Sequence, residues 1–214
     1  MAETSLKDTA YRYIKDKINM CQYLPGESVN ELRIAEEMKI GRMPVREALS
    51  VLKLENLIEV RPRKGTYVKM ITREDVQENY QIRRILEPAV IAEYIKVYNK
   101  AVLLDFDSQF EHLDLTRPAD IYTLDIDFHR YLVEICANAR IKKLYEVVLE
   151  AQFRMGIYNS LMHTNETESY YEEHHDIIMA LLHEDKKHAA EAVIYHINQS
   201  QISSLKSIQN SKEA

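Results

Sequence analysis

Asp125 and His129 stand four residues apart in the segment 121–136. On a helical wheel at ~100° per residue, Ile121, Leu124, Phe128, Leu132, Ile135 and Cys136 form an apolar arc. Asp125 falls inside that arc and His129 at its edge. Side chains four apart share a helix face, so both reach one ion. A carboxylate on an apolar face is costly unless it is paired or bound to a metal. Two further wheels add imidazoles. His174 is central to a face shared with Tyr170, Tyr171, Ile177, Ile178, Leu181 and Leu182, whereas His183 points the opposite way. His196 is surrounded by Ala189, Ala192, Val193, Ser200 and Ser203, a face small-sided enough to leave room for a cavity. One carboxylate and three imidazoles suit Zn²⁺, Ni²⁺ or a similar divalent transition metal. The competing reading is a set of hydrogen-bonded core histidines, with Asp125–His129 a structural pair. His163, His175, His183 and His188 read as surface residues.

A second constellation is basic. Between Lys39 and Arg73 there are 9 basic and 3 acidic residues. Arg42 and Arg46 sit one turn apart on one face of a helix expected to start at Pro44, where a missing amide costs nothing. A major groove admits one helix, and an Arg pairs bidentately with guanine O6 and N7. Arg61, Arg63 and Lys64, with Gly65 beside them, crowd a hairpin tip from which phosphates or a minor groove are in reach. Taken as charges alone, they equally describe a solvated basic surface.

The elements that must position these residues follow from apolar periodicity. The first 22 residues read as a helix with Ile14, Ile18 and Cys21 on one stripe, stopped by Pro25-Gly26. A short helix over 30–38 follows, then the helix carrying Val45, Ala48, Leu49 and Leu52 on its buried side. Two strands, 57–60 and 66–70, flank the tip at Pro62-Arg63-Lys64-Gly65. From Thr72 onward the 3.6-residue pattern persists, as in Ile82, Ile85, Leu86, Ala89 and Val90, and again in Ile141, Leu144, Tyr145, Val148 and Leu149. Further helices are expected at about 100–113, 119–137, 167–184 and 186–209. The fold expected is mainly α. Residues 1–73 form a winged helix-turn-helix of three helices and a two-stranded wing, and residues 74–214 form an all-α bundle of about six helices.

Charge divides the same way. The whole chain of 214 residues carries a net charge of -6, but residues 1–73 are +4 and residues 74–214 are -10, and all 8 His lie in the second part. Such asymmetry points to two domains with different partners. With 46% hydrophobic residues the chain is an ordinary globular one, and its 2 Cys cannot make a disulfide framework. The first ten residues hold no apolar signal core and no apolar run approaches the ~20 residues that span a bilayer, so a cytoplasmic protein without a membrane partner is expected.

Leu24-Pro25-Gly26-Glu27, Glu31-Leu32-Arg33-Ile34-Ala35, Arg42-Met43-Pro44-Val45-Arg46-Glu47-Ala48-Leu49, Leu52-Lys53-Leu54-Glu55-Asn56-Leu57-Ile58 and Arg63-Lys64-Gly65-Thr66-Tyr67-Val68 resemble the DNA-binding domain of the GntR family of bacterial transcriptional regulators. The resemblance implies base contacts by Arg42 and Arg46 and puts Gly65 at the wing tip. The family usually has Ser or Thr where this chain has Gly41 and Met43, so a hydroxyl cap on the reading helix is absent. In the second part, Arg83-Arg84-Ile85-Leu86-Glu87, Asp125-Ile126-Asp127-Phe128-His129 and Glu173-His174, with Ala180, Asp185, Ala189 and His196, resemble the FCD effector domain of the FadR-like branch. That likeness implies a metal held by Asp125, His129, His174 and His196 at the base of an effector pocket. Spacing to Asp185 and His196 favours His174 over His175. Arg83 aligns with a family Arg that either holds a carboxylate effector or pairs with Glu87.

The function expected is a sequence-specific regulator, a repressor by family habit and not an enzyme. It would bind a palindromic operator in double-stranded DNA as a homodimer, with operator affinity set by a small carboxylate metabolite beside the metal. Two alternatives stand beside it. One is a metal-dependent hydrolase built on the same Asp/His set, for which Asp127 is the nearest candidate base. The other is a regulator whose bundle only dimerises.

Overall fold

A computed structural model describes residues 5–162 and 169–210; His163 lies outside them. In chain order the elements are α1 (Leu6–Asn19), β1 (Ser28–Val29), α2 (Glu31–Met38), α3 (Arg42–Leu54), β2 (Ile58–Arg61), β3 (Gly65–Val68), α4 (Arg73–Tyr94), α5 (Lys100–Glu111), α6 (Pro118–Glu134), α7 (Ala139–Met162), α8 (Tyr170–Leu182) and α9 (Lys186–Asn210). The chain divides into two compact units, Met1–Ile71 and Thr72–Ala214.

The first unit is built on a core of Ala10, Ile14 and Ile18 from α1, Ile34 and Ala35 from α2, and Val45, Ala48 and Leu52 from α3. Ile58 and Val68 close it from the sheet. These positions repeat at three and four residues, so each helix turns one stripe inward. Caps mark where the helices begin. Ser5 accepts from the Asp8 amide, and Asn30 accepts from the amides of Leu32 and Arg33, satisfying donors that a first turn leaves open. Gly41 precedes α3 and offers no side-chain cap.

Two details depart from the sequence reading. The helix begins at Arg42, not at Pro44, which occupies its third position. A first turn has no intrahelical partner for any of its amides, so a proline is tolerated there as well as at the first place. The wing also has a third strand. β1 pairs with β3 through Ser28↔Tyr67 and Val29↔Thr66, giving the antiparallel order β1-β3-β2. Two residues are too short to show a period of two in the sequence. At the tip, Arg61 pairs with Gly65 across β2 and β3. Gly65 has φ +114°, a region open to glycine alone without cost.

The second unit is all helical among the described residues, with six helices, α4 to α9. It begins at a capping box. Thr72 accepts from the Asp75 amide and the Asp75 carboxylate accepts from the Thr72 amide. The two units therefore meet between Ile71 and Thr72. α4 packs chiefly on α9, α6 on α7, and α8 on α9 and α5. α4 and α5 also touch α6, which brings α6 beside the α8–α9 pair and joins residues from 22 to 71 positions apart in sequence.

Gly156 in α7 is set by this packing. A Cβ there would lie 2.3 Å from the Tyr122 ring of α6. An alanine in an open helix interior gains up to ~1 kcal/mol over glycine, whereas overpacking costs ~1–3 kcal/mol. Gly156→Ala is therefore expected to destabilise the protein by about 1–2 kcal/mol in chemical unfolding. A gain in stability would show that the Tyr122 ring yields freely.

Candidate metal centre and reading head

Asp125 and His129 on α6, His174 on α8 and His196 on α9 are all buried and form one cluster, whose ligand atoms lie within 4.8 Å of one another. Nε2 of His129 and Nε2 of His196 are 3.1 Å apart. Nε2 of His174 lies 3.2 Å from Asp125 Oδ1, and Nε2 of His129 and of His196 lie 3.8 and 3.7 Å from the same oxygen. The outer nitrogen of each ring is spent elsewhere. His129 Nδ1 donates to Glu87 at 2.8 Å, His174 Nδ1 to the Tyr170 carbonyl at 2.7 Å, and His196 Nδ1 to Glu173 at 3.0 Å. Each Nδ1 thus faces an oxygen acceptor, and the three Nε2 atoms converge on one carboxylate oxygen.

The electrostatics hold this state. Burial, and then the charge of Arg83, push the His129 imidazole below its ordinary range. Burial, with His174 adding to it, lowers His196 to about 4. Both rings are neutral near pH 7. Burial by itself would raise Asp125, but His129, His174 and His196 outweigh it and hold the carboxyl well below the usual range. Its second oxygen, Oδ2, has no hydrogen-bond partner. Phe110 stacks on His174 at 4.0 Å between ring centres, and the Tyr170 hydroxyl lies 3.3 Å from Asp125 Oδ1. Neutral imidazole nitrogens and a carboxylate oxygen are a fitting donor set for a divalent transition metal.

Arg83 is fully enclosed and pairs with Glu87 at 2.7 Å. Glu87 also accepts from the Tyr145 hydroxyl at 2.6 Å and from His129. Burial opposes its charge, but Arg83 and then His129 prevail and lower it to about 2. Nη1 and Nη2 of Arg83 have no hydrogen-bond partner.

A cavity of about 420 Å³ opens beside Asp125 and His196. Its wall includes Tyr80, Gln152, Asn159, Ser200, Ser203 and Ser204, so the small-sided face of α9 does border a void. Arg83 does not line it. His175 is turned away and meets Asp107 at 2.7 Å; His188 pairs with Asp176 on the surface. Asp127 is exposed and pairs with Arg130.

In the first unit, Arg42 and Arg46 project from α3 and meet at one carboxylate. Glu31, the first residue of α2, accepts from Arg42 Nε at 3.2 Å and from Arg46 Nε and Nη2 at 3.1 and 3.0 Å. Pro44 lies between them, half-buried. Arg63, Lys64 and Gly65 are exposed at the tip of the wing. Arg61 is held to the sheet, bonded to Glu59 at 2.8 Å and lying 4.2 Å over the Tyr67 ring.

Glu31, Glu173 and Gln152 have functional positions that the sequence did not disclose. Their partners lie on other elements, and no local spacing marks them. Glu87 was visible only as the neighbour of Arg83 at i+4.

A winged helix-turn-helix joined to an all-helical unit is the architecture of a DNA-binding transcriptional regulator. Residues 6–68 match the model of the bacterial regulatory proteins of the gntR family, and residues 78–199 match the FCD domain. The chain belongs to the GntR family of transcriptional regulators, in the group with an FCD domain, and is not an enzyme. It is 28% identical over 193 residues to the HTH-type transcriptional regulator YdhC of Bacillus subtilis (strain 168), covering 88% of this chain and 86% of that protein. It is 26% identical over 195 residues to the HTH-type transcriptional repressor RspR of Escherichia coli (strain K12), covering 88% and 84%. The fold matches a GntR regulator from Rhodococcus sp. RHA1 with a TM-score of 0.76 over 94% of this chain and 97% of that one, at 23% identity. Among the described residues, no helix is long and apolar enough to cross a membrane.

Glu87→Ala leaves a buried guanidinium unpaired, a change that costs ~3–5 kcal/mol. A loss of this size is expected in urea unfolding. Because Glu87 falls from 4.5 to about 2 on folding, its contribution is complete above about pH 4.5 and is lost as pH falls toward 2. In wild type, stability should drop through that window, and the Ala variant should show a shallower drop.

Proposed function

We propose that the protein is a cytoplasmic, homodimeric repressor whose affinity for a palindromic operator is set by a small carboxylate metabolite bound beside a divalent metal of the Zn or Ni type. The observation that carries the sensor half is the convergence of three imidazole Nε2 atoms on Asp125. Without a cation, His129 and His196 face each other lone pair to lone pair, and relieving this by tautomer exchange would break a hydrogen bond to Glu87 or Glu173. Asp125, His129, His174 and His196 hold the ion, which when bound supplies a Lewis-acidic charge suited to a carboxylate oxygen. Arg83 supports the anion through its buried charge and its two uncommitted Nη groups rather than as part of the cavity wall.

On the DNA side, Arg42 and Arg46 read bases in a major groove, with Pro44 setting the start of the reading helix. Arg61, Arg63, Lys64 and Gly65 bring the wing to the phosphates and the neighbouring minor groove. One winged unit covers a short half-site, and a two-fold dimer doubles it. Exposed apolar side chains on the helical unit, among them Ile85, Leu144 and Val147, favour a second copy as partner. The repressor sense is that stated in the name of the E. coli relative. Effector binding shifts the dimer between arrangements of different operator affinity, by no more than its own difference in affinity for the two.

Two substitutions separate the halves. Arg46→Ala should reduce discrimination between operator and random DNA by about tenfold to a hundredfold, equivalent to ~1–3 kcal/mol, with dimerisation and metal content unchanged. Salt-controlled competition binding checks this, and unaltered discrimination would remove Arg46 from base reading. His196→Ala should lower metal content, measured by elemental analysis, from about one ion per chain to well below it. A stoichiometric metal persisting in that variant would refute the ligand set.

A further inference from the structure

Met43 is the second residue of α3 and is 58% exposed. It follows Arg42 directly, and Arg46, three positions on, shares its helix face. Val45, Ala48, Leu49 and Leu52 of the same helix are buried. Leu54 is exposed as well, but it ends the helix, roughly three turns away from Met43. On a wheel at ~100° per residue, Met43 lies about 170° from the middle of the buried stripe. It therefore projects almost straight away from the core, with Arg42 and Arg46 on one flank and the exposed Glu47 on the other.

A single exposed apolar side chain is ordinary on a protein surface. What sets Met43 apart is its place. It occupies the point of α3 that goes deepest into any groove the two arginines enter. Its chemistry limits what it can meet there, because a thioether has no hydrogen to donate and accepts only weakly. The edges of guanine, cytosine and adenine in a major groove are hydrogen-bond donors and acceptors, whereas thymine adds an apolar group, its C5 methyl. Covering a guanine or cytosine edge with Met43 would strip water from polar atoms and leave them unpaired. Covering a thymine methyl withdraws apolar surface from water on both sides. The side chain is unbranched and has three rotatable bonds, so its end can settle on a methyl beside a base pair that an arginine already holds.

We infer that Met43 is a specificity-determining residue of the reading helix, packing on the C5 methyl of a thymine next to the guanine contacted by Arg46. The inference rests on the assignment of α3 to the major groove made above and adds a second base to it. Each half-site then pairs a guanine with a neighbouring thymine.

Duplexes selected from a random pool by the full chain supply the operator. Replacing the thymines of a half-site by deoxyuridine, one at a time, removes the methyl and keeps the base pairing. One replacement, at a thymine adjoining the guanine on which Arg46→Ala relaxes selection, should weaken binding at fixed salt about threefold to fivefold, the worth of one methyl withdrawn from water. Met43→Ser shortens the side chain and removes its apolar end. It should bind the thymine duplex more weakly than wild type by about the same factor and should not distinguish thymine from deoxyuridine at that position, closing a double-mutant cycle. The deoxyuridine series on unaltered protein stands even if that variant folds poorly. If wild type binds every deoxyuridine duplex as tightly as its thymine parent, or if Met43→Ser keeps the full preference for thymine, the inference is overturned. Guanine selection lost in Arg46→Ala would still keep α3 in the groove. If Arg46→Ala selects the same duplexes as wild type, the assignment of α3 fails and the inference fails with it.

Discussion

Glu87 is the acceptor on which the buried charges of the helical unit depend. One carboxylate on α4 receives the Arg83 guanidinium, the Tyr145 hydroxyl and the outer nitrogen of His129. Each of these groups would be costly to bury alone. Together they leave Glu87 ionised at ordinary pH, and an ionised Glu87 in turn fixes which nitrogen of His129 carries hydrogen. That choice sends the Nε2 lone pair toward Asp125. The ion pair is therefore more than a stabiliser of α4, because it sets the ligand state of a residue 42 positions away. Glu173 does the same for His196 from α8, and the Tyr170 carbonyl does it for His174 from within one turn.

The two arginines at the start of α3 obey the same logic at the surface, with a smaller energy. Glu31 gathers Arg42 and Arg46, yet both guanidiniums are more than half exposed. Ion pairs of that kind contribute ~0–1 kcal/mol to folding, so the contact matters for direction rather than stability. It draws two flexible side chains to the same place at the start of α3. Asn30 anchors Glu31 by capping α2. The neighbouring α3 has no such side-chain cap at Gly41, so the helix that carries both arginines starts without one.

Periodicity made the helices of the second unit and the four inward-facing cluster residues legible, because a residue's face depends only on its own helix. Asp125 within an apolar arc is readable from 121–136 alone, and the small side chains around His196 foretold a void. What remained hidden was pairing between elements. Nothing within α8 tells that Glu173 faces His196, and nothing within α7 tells that Gln152 meets Tyr80. The third strand, Ser28–Val29, escaped for a related reason: two residues acquire strand geometry only from β3 beside them. Pro44 was misplaced by two positions because the first turn tolerates proline at more than one place. Arg83 could be read either as an ion-pair partner or as an effector contact. The structure shows the ion pair, with Nε on Glu87 and Arg83 outside the cavity wall.

The division of charge follows from these arrangements. Residues 74–214 carry a net of -10, and three of their carboxylates, Glu87, Asp125 and Glu173, sit around the histidine cluster instead of on the solvent surface. Two orient imidazoles and one joins them as a ligand candidate. Asp125 is the anionic member of the cluster, and Arg83 offsets Glu87 behind it. A divalent cation there would offset the Asp125 charge beside a cavity whose wall carries amides and hydroxyls together with Glu173 and Lys206. Glu87 and Glu173 are thus turned to guanidinium and imidazole instead of to solvent, so the net charge of the unit says little about the field at the cavity.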